Sequence, residues 1–175
     1  IKIFNDDGEK ISRDIEKRIE KYIASDLNPV ETSKIGKAYR FDESGPRYIE
    51  FCKSTVPSDI SFSSLRIVLD CANGACYKVS PEIFEELGAE VITFGTNPDG
   101  YNINQGCGST NPELVKKEVI KHRADYGISL DGDGDRVILV DEKGNILDGD
   151  DLLCILAFSN PNRTGPWSGV VGTLM

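Results

Sequence analysis

Apolar positions in the first part of the chain recur every three or four residues. Ile11, Ile15, Ile19, Tyr22 and Ile23 fall on one helical face with charges between them, Ser12 can cap that helix, and it is expected to run to about Ser25. Before it, residues 1–4 read as a short strand and Asn5-Asp-Asp-Gly8 as a turn. Residues 26–46 are polar and irregular, ending in Asp42-Glu-Ser-Gly-Pro46, and read as an interdomain linker. A second helix is expected over residues 47–55, carrying Tyr48, Ile49, Phe51 and Cys52.

From residue 66 the pattern changes to short apolar runs separated by helical stretches. Arg66-Ile-Val-Leu-Asp70 has strand length and leads into Cys71-Ala-Asn-Gly-Ala-Cys76. A helix from Ser80 follows, with Pro81 suited to its first turn and Gly88 to the residue just past its end. Residues 90–94 form the next strand, residues 96–110 a loop rich in Gly and Asn, and Asn111-Pro112 opens a helix to about Arg123. Residues 126–130, 137–140 and 146–147 are three further strands, the last two joined by the turn Asp141-Glu-Lys-Gly-Asn145. Asp148-Gly-Asp-Asp151 precedes a helix through Phe158, with the aspartates as capping groups rather than a second metal site. Residues 159–168 read as another linker and residues 169–175 as a strand opening a further domain. Strands alternating with helices predict an α/β fold, a mixed, mostly parallel sheet flanked by helices, with partial neighbouring domains.

Net charge narrows the function. At −9 the chain lacks the basic surface that displaces counterions from nucleic acid, and an anionic membrane surface is disfavoured on the same ground. No apolar run approaches the roughly 18 residues of a membrane span. The first residues do not form a signal peptide, and the chain is expected to begin inside a longer protein. Five scattered cysteines (52, 71, 76, 107, 154) predict reduced thiols, most of them buried, and a cytoplasmic setting. His122 lies on the stripe of Leu114, Val115 and Val119, so it reads as a partly buried structural residue. Asn73-Gly74 reads as turn chemistry rather than a phosphate cradle.

The densest chemistry is Asp131-Gly-Asp133-Gly-Asp135-Arg136, at the carboxyl end of a strand. Three carboxylates this close repel one another by about 4 kcal/mol per pair at 4 Å and an effective dielectric of 20. A hard cation converts that repulsion into coordination, and Mg²⁺ takes oxygen ligands. The glycines let the backbone turn tightly enough to gather the carboxylates. Two other metal readings stay open here. In a calcium loop Glu142 would be the last ligand, but Arg136 stands where that loop needs Gly. In a haloacid-dehalogenase-type phosphatase the first two aspartates of Asp131-Gly-Asp133-Gly134 would be nucleophile and acid/base.

The same hexapeptide resembles the metal loop of the α-D-phosphohexomutase superfamily. Arg47-Tyr-Ile-Glu-Phe-Cys52, Val68-Leu-Asp-Cys-Ala-Asn-Gly-Ala75, Val137-Ile-Leu-Val-Asp141 and Gly172-Thr-Leu-Met175 are similar to its phosphoglucosamine mutase branch. That resemblance implies residues 1–40 as the end of a first domain, 41–163 as a metal-binding second domain and 164–175 as the start of a third. It implies interconversion of glucosamine 6-phosphate and glucosamine 1-phosphate through a phosphoserine and a bisphosphate, with phosphomannomutase or phosphoglucomutase specificity as the alternative. Mg²⁺ would sit on Asp131, Asp133 and Asp135, and Arg136 would contact phosphate, with a plain salt bridge as its other reading. The partner would be a phosphosugar, and a homodimer stays open. The phosphoserine motif is absent from this chain, so no mutase activity is expected of it alone.

Overall fold

The computed structural model describes residues 3–26 and 28–159. The chain divides into two compact units, Ile1–Phe41 and Asp42–Met175.

In the first unit, helix α1 spans Arg13–Ile23, and the Ser12 hydroxyl accepts from the Ile15 N–H at 3.5 Å. Asp14 and Glu16 in its first turn and Lys21 in its last complement the helix dipole. Its apolar stripe is not covered: α1 buries no residue, and Tyr22 and Ile23 are 56% and 71% exposed. A unit this short cannot close a core of its own. Of the expected opening strand at residues 1–4, the described residues 3 and 4 show one antiparallel bridge, Phe4 with Lys10. The Asn5 side chain accepts from the Asp7 and Glu9 N–H groups, and this turn consumes the residues that a longer pairing would need. Residues 1 and 2 lie outside the described residues, as do residues 160–168 of the linker expected over 159–168 and the strand at 169–175, while residue 159 is helical.

The second unit holds a five-stranded sheet. Its strands are β1 (Arg66–Asp70), β2 (Glu90–Phe94), β3 (Tyr126–Leu130), β4 (Val137–Asp141) and β5 (Ile146–Leu147), in the order β2-β1-β3-β4-β5. β1 pairs parallel with β2 and β3, whereas the β3–β4 and β4–β5 pairings are antiparallel. Four strands therefore point one way and β4 opposes them. Helices α2 (Ser44–Ser54), α3 (Val79–Glu86), α4 (Glu113–His122) and α5 (Gly149–Ser159) complete the unit.

α2 starts three residues earlier than expected. Gly45 and Pro46 lie in its first turn, where proline's missing N–H costs nothing, so Gly-Pro opens this helix instead of closing the linker. Lys53 on α2 donates to Glu50 at 2.7 Å and to Glu86 on α3 at 2.6 Å, tying the two helices. α4 covers one sheet face: Val115 and Val119 pack with Val68, Ala124 and Val140, all buried. Ile67 and Leu69 alternate to the other face and are buried as well, so both faces of β1 are dry. Gly127 in β3 makes the close helix approach work, because a Cβ there would collide with Val115 and Val119.

Helix α5 begins as the aspartates suggest. Asp148 Oδ1 accepts from the N–H groups of Asp150 and Asp151, and the Asp151 carboxylate accepts from Asp148 N–H. His122 is partly exposed, with Nε2 3.2 Å from a Glu118 carboxylate oxygen. The cysteines are all free, yet only Cys71 and Cys107 are buried. Cys154 is exposed because α5 buries no residue.

Because β1, β2 and β3 are parallel, their carboxyl ends share one edge of the sheet. The turn at 71–76, the loop at 95–110 and the acidic loop at 131–136 all leave from that edge, where open α/β sheets bind ligands.

Candidate metal centre

β3 delivers Asp131 to the sheet edge as a fully buried carboxylate, 1% exposed. Its Oδ1 accepts from the N–H groups of Asp135 and Arg136, each at 3.1 Å, and its Oδ2 accepts from Arg136 Nε at 2.8 Å. The Gly134 N–H returns to the Asp131 carbonyl at 3.1 Å, closing the loop, and Gly134 takes the left-handed conformation that this requires (φ 71°). Asp133 and Asp135 stand on the exposed side.

One carboxylate oxygen from each of Asp131, Asp133 and Asp135 lies within 4.8 Å of the others. Around an octahedral Mg²⁺, neighbouring oxygens lie about 3.0 Å apart and opposite ones about 4.2 Å, so this all-oxygen set must draw together to share one ion. The electrostatics match a cation site. The negative charge of Asp133 pushes the Asp135 carboxyl above its ordinary range, with burial and Asp131 adding to it. Burial also pushes Asp131 upward, but the hydrogen bonds and charge of Arg136 outweigh that and hold the carboxyl below its usual range. Arg136 stays charged beside Asp131, with Asp135 Oδ1 at 3.7 Å, and its side chain is 58% exposed. The ion pair expected as its plainer reading is thus present, and it leaves the guanidinium at the open surface of the loop.

Two neighbouring segments shape this loop. The turn at 71–76 lies against it through backbone: Ala75 N–H donates to the Gly132 carbonyl at 2.8 Å, and Gly74 comes so close to Gly132 that no Cβ would fit. Asn73-Gly74 forms no anion cradle, because the N–H groups of residues 72–75 are all used internally. On the other side Ile103 and Asn104 touch Gly132. Residues 103 and 104 therefore border the loop.

Asp70 is the organising residue that the sequence did not reveal. Completely buried at the end of β1, it accepts from Ala72 N–H at 2.9 Å and from Gly108 N–H at 2.6 Å, pinning both supporting segments. The calcium-loop alternative fails on geometry. Residues after Arg136 continue as β4, and Glu142 belongs to the next hairpin, where Asp141 accepts from the N–H groups of Lys143 and Asn145.

Residues 46–144 match the family model for phosphoglucomutase/phosphomannomutase, alpha/beta/alpha domain II. A phosphoglucosamine mutase from Marinomonas sp. (strain MWYL1) is 54% identical over 176 residues, covering all of this chain and 39% of that protein. One from Coxiella burnetii (strain Dugway 5J108-111) is 51% identical over 177 residues, again the whole chain and 40% of the relative. The chain thus spans about two fifths of the length of these relatives. A crystal structure of a phosphoglucomutase/phosphomannomutase family protein from Burkholderia thailandensis superposes with a TM-score of 0.59 at 23% identity, over 84% of this chain and 31% of that one. That likeness is one of fold.

Proposed function

The chain belongs to the phosphoglucomutase/phosphomannomutase family, and from that premise we propose that it supplies the cation-holding part of a phosphoglucosamine mutase. The family membership removes the dehalogenase-type alternative. In this reading residues 1–40 close a first domain, 41–163 are the metal-binding domain and 164–175 open a third. The protein is cytoplasmic, and its substrate is a phosphosugar, glucosamine 6-phosphate. Among the described residues no helix is long and apolar enough to cross a membrane.

The observation that carries the reading is the convergence of three carboxylates within 4.8 Å at the carboxyl edge of the sheet. Asp131, Asp133 and Asp135 would hold Mg²⁺. When bound, that ion neutralises charge on a phosphoryl group in transfer, the main catalytic need of such reactions. The chain's own residues do the rest. Asp131, buried and triply hydrogen-bonded, fixes the loop to β3. Arg136 is held by its Nε–Asp131 bond, which directs a guanidinium toward the mouth of the loop, where it can bind phosphate oxygens. The reaction passes a phosphoryl group from an enzyme phosphoserine to the free sugar hydroxyl, giving a bisphosphate, and the other phosphate returns to the serine. That serine is not in this chain, so the chain alone is inactive.

A segment exchange tests this. The chain replaces the matching 39% of the Marinomonas relative, and conversion of glucosamine 6-phosphate is measured with Mg²⁺. The chimera is expected to be active, and Asp133→Asn in it to lose roughly 10²–10³-fold in kcat, the usual scale for removing a group that stabilises transition-state charge. A folded chimera without activity, or one indifferent to Asp133→Asn, contradicts the proposal.

A further inference from the structure

We infer that Asp70 is a positioning residue of the acidic loop, its buried carboxylate tying together the two backbone segments that hold the peptides on either side of Asp131. This rests on the loop being a divalent-cation site.

The Asp131 carboxylate accepts from Asp135 and Arg136, so those bonds fold the loop on itself. Two bonds from outside seat the loop on the sheet edge. The Leu130 carbonyl accepts from Ser109 N–H at 2.9 Å, and the Gly132 carbonyl accepts from Ala75 N–H at 2.8 Å. Leu130 and Gly132 stand immediately before and after Asp131. The two donors come from different segments, and both segments are anchored on Asp70. Its Oδ2 accepts from Gly108 N–H at 2.6 Å, one residue from Ser109. Its Oδ1 accepts from Ala72 N–H at 2.9 Å, in the turn that carries Ala75.

That turn needs an anchor. Ala72 and Asn73 are both left-handed, with φ 56° and 50°, a conformation unfavourable for residues with a Cβ that persists only where surrounding bonds impose it. The Asp70 bond imposes it at Ala72, and Asn73 N–H donates to the Gly95 carbonyl at 2.6 Å. Asp70 is completely buried, and burying a carboxylate is costly unless its oxygens are hydrogen-bonded, as both are here. Asparagine has the same shape but one oxygen. Asp70→Asn therefore sets an NH₂ against one of the two N–H groups and releases one segment.

The probe is Mn²⁺, which suits the same carboxylate donors as Mg²⁺. Free Mn²⁺ is followed by electron paramagnetic resonance during titration of the 175-residue chain and of Asp70→Asn, Val119→Ala and Asp133→Asn, with thermal unfolding of each. Asp70→Asn is expected to weaken Mn²⁺ binding about tenfold, at the low end of what groups behind metal ligands contribute. Val119→Ala lowers the Tm through a core cavity under α4 and leaves the Asp70 bonds intact, so its binding stays within about twofold of the parent. Parent-like binding by Asp70→Asn, with Asp133→Asn impaired, overturns the positioning role and leaves the cation site standing. Equal weakening by Val119→Ala also overturns it, because that is general loosening. A parent that binds no better than Asp133→Asn removes the cation site and this inference with it. If Asp70→Asn does not fold, amide hydrogen exchange in the parent decides. Mg²⁺ at about ten times its Kd should slow exchange at Ala72, Ala75, Gly108 and Ser109 about tenfold, since coupling between the site and these bonds is reciprocal. Slowing there no greater than at Asn145, whose N–H donates to Asp141 in the β4–β5 hairpin, overturns the inference.

Discussion

Cys71 reports on the interior at the carboxyl end of β1. Burial, then the negative charges of Cys76 and Asp70, push its thiol up to about 12, against about 8.5 for an unfolded cysteine. The native chain keeps a proton that the unfolded chain loses. Its contribution to stability is therefore complete below about pH 8.5 and disappears as pH rises toward 12. Iodoacetamide at about pH 8 is expected to modify exposed Cys154 and to spare Cys71 until urea unfolds the protein, as read by peptide mass spectrometry. Native-state labelling of Cys71 at the rate of Cys154 would contradict this burial. Single residues differ in how far the sequence betrays them. Asp131, Asp133 and Asp135 were legible because their alternation with glycine is local. Asp70 was not, since the Gly108 N–H that it accepts from lies 38 residues away.

Helix α4 packs closely on strand β3, and Gly127 sets the spacing. A methyl group there would collide with Val115 and Val119 and come within 3.1 Å of the Val140 Cβ. Gly127→Ala should cost about 1–3 kcal/mol by overpacking, measured by urea unfolding, with Val119→Ala in the same chain recovering part of the loss. Additive losses in the double variant would mean that the two sites do not share this space. All five strands of the sheet were legible from apolar runs, and α4 from its stripe and the Asn-Pro ahead of it. The errors fell where a local signal has two readings. Gly45-Pro46 can end a linker or fill a first helical turn, and packing of α2 on α3 through Lys53 and Glu86 settles it as helix. Of the strand expected over residues 1–4, only residues 3 and 4 are described, and there Phe4 bridges Lys10.

The assembled chain joins family membership in domain II to a sheet whose parallel strands bring three loops to one edge. Its net charge of −9 would repel a phosphosugar anion, and a cation on the acidic loop would reconcile that charge with the proposed substrate. The fold was readable in the sequence because each strand and helix signals locally, whereas the support of the loop by segments from 71–76 and 103–104 is a product of topology. Everything proposed for function turns on whether the three aspartates take up a divalent ion. Titration calorimetry of Mg²⁺ into the 175-residue chain and into Asp133→Asn decides it directly. Weak, saturable binding by the chain that is lost in Asp133→Asn is the predicted result, and indistinguishable heats from the two proteins would contradict it.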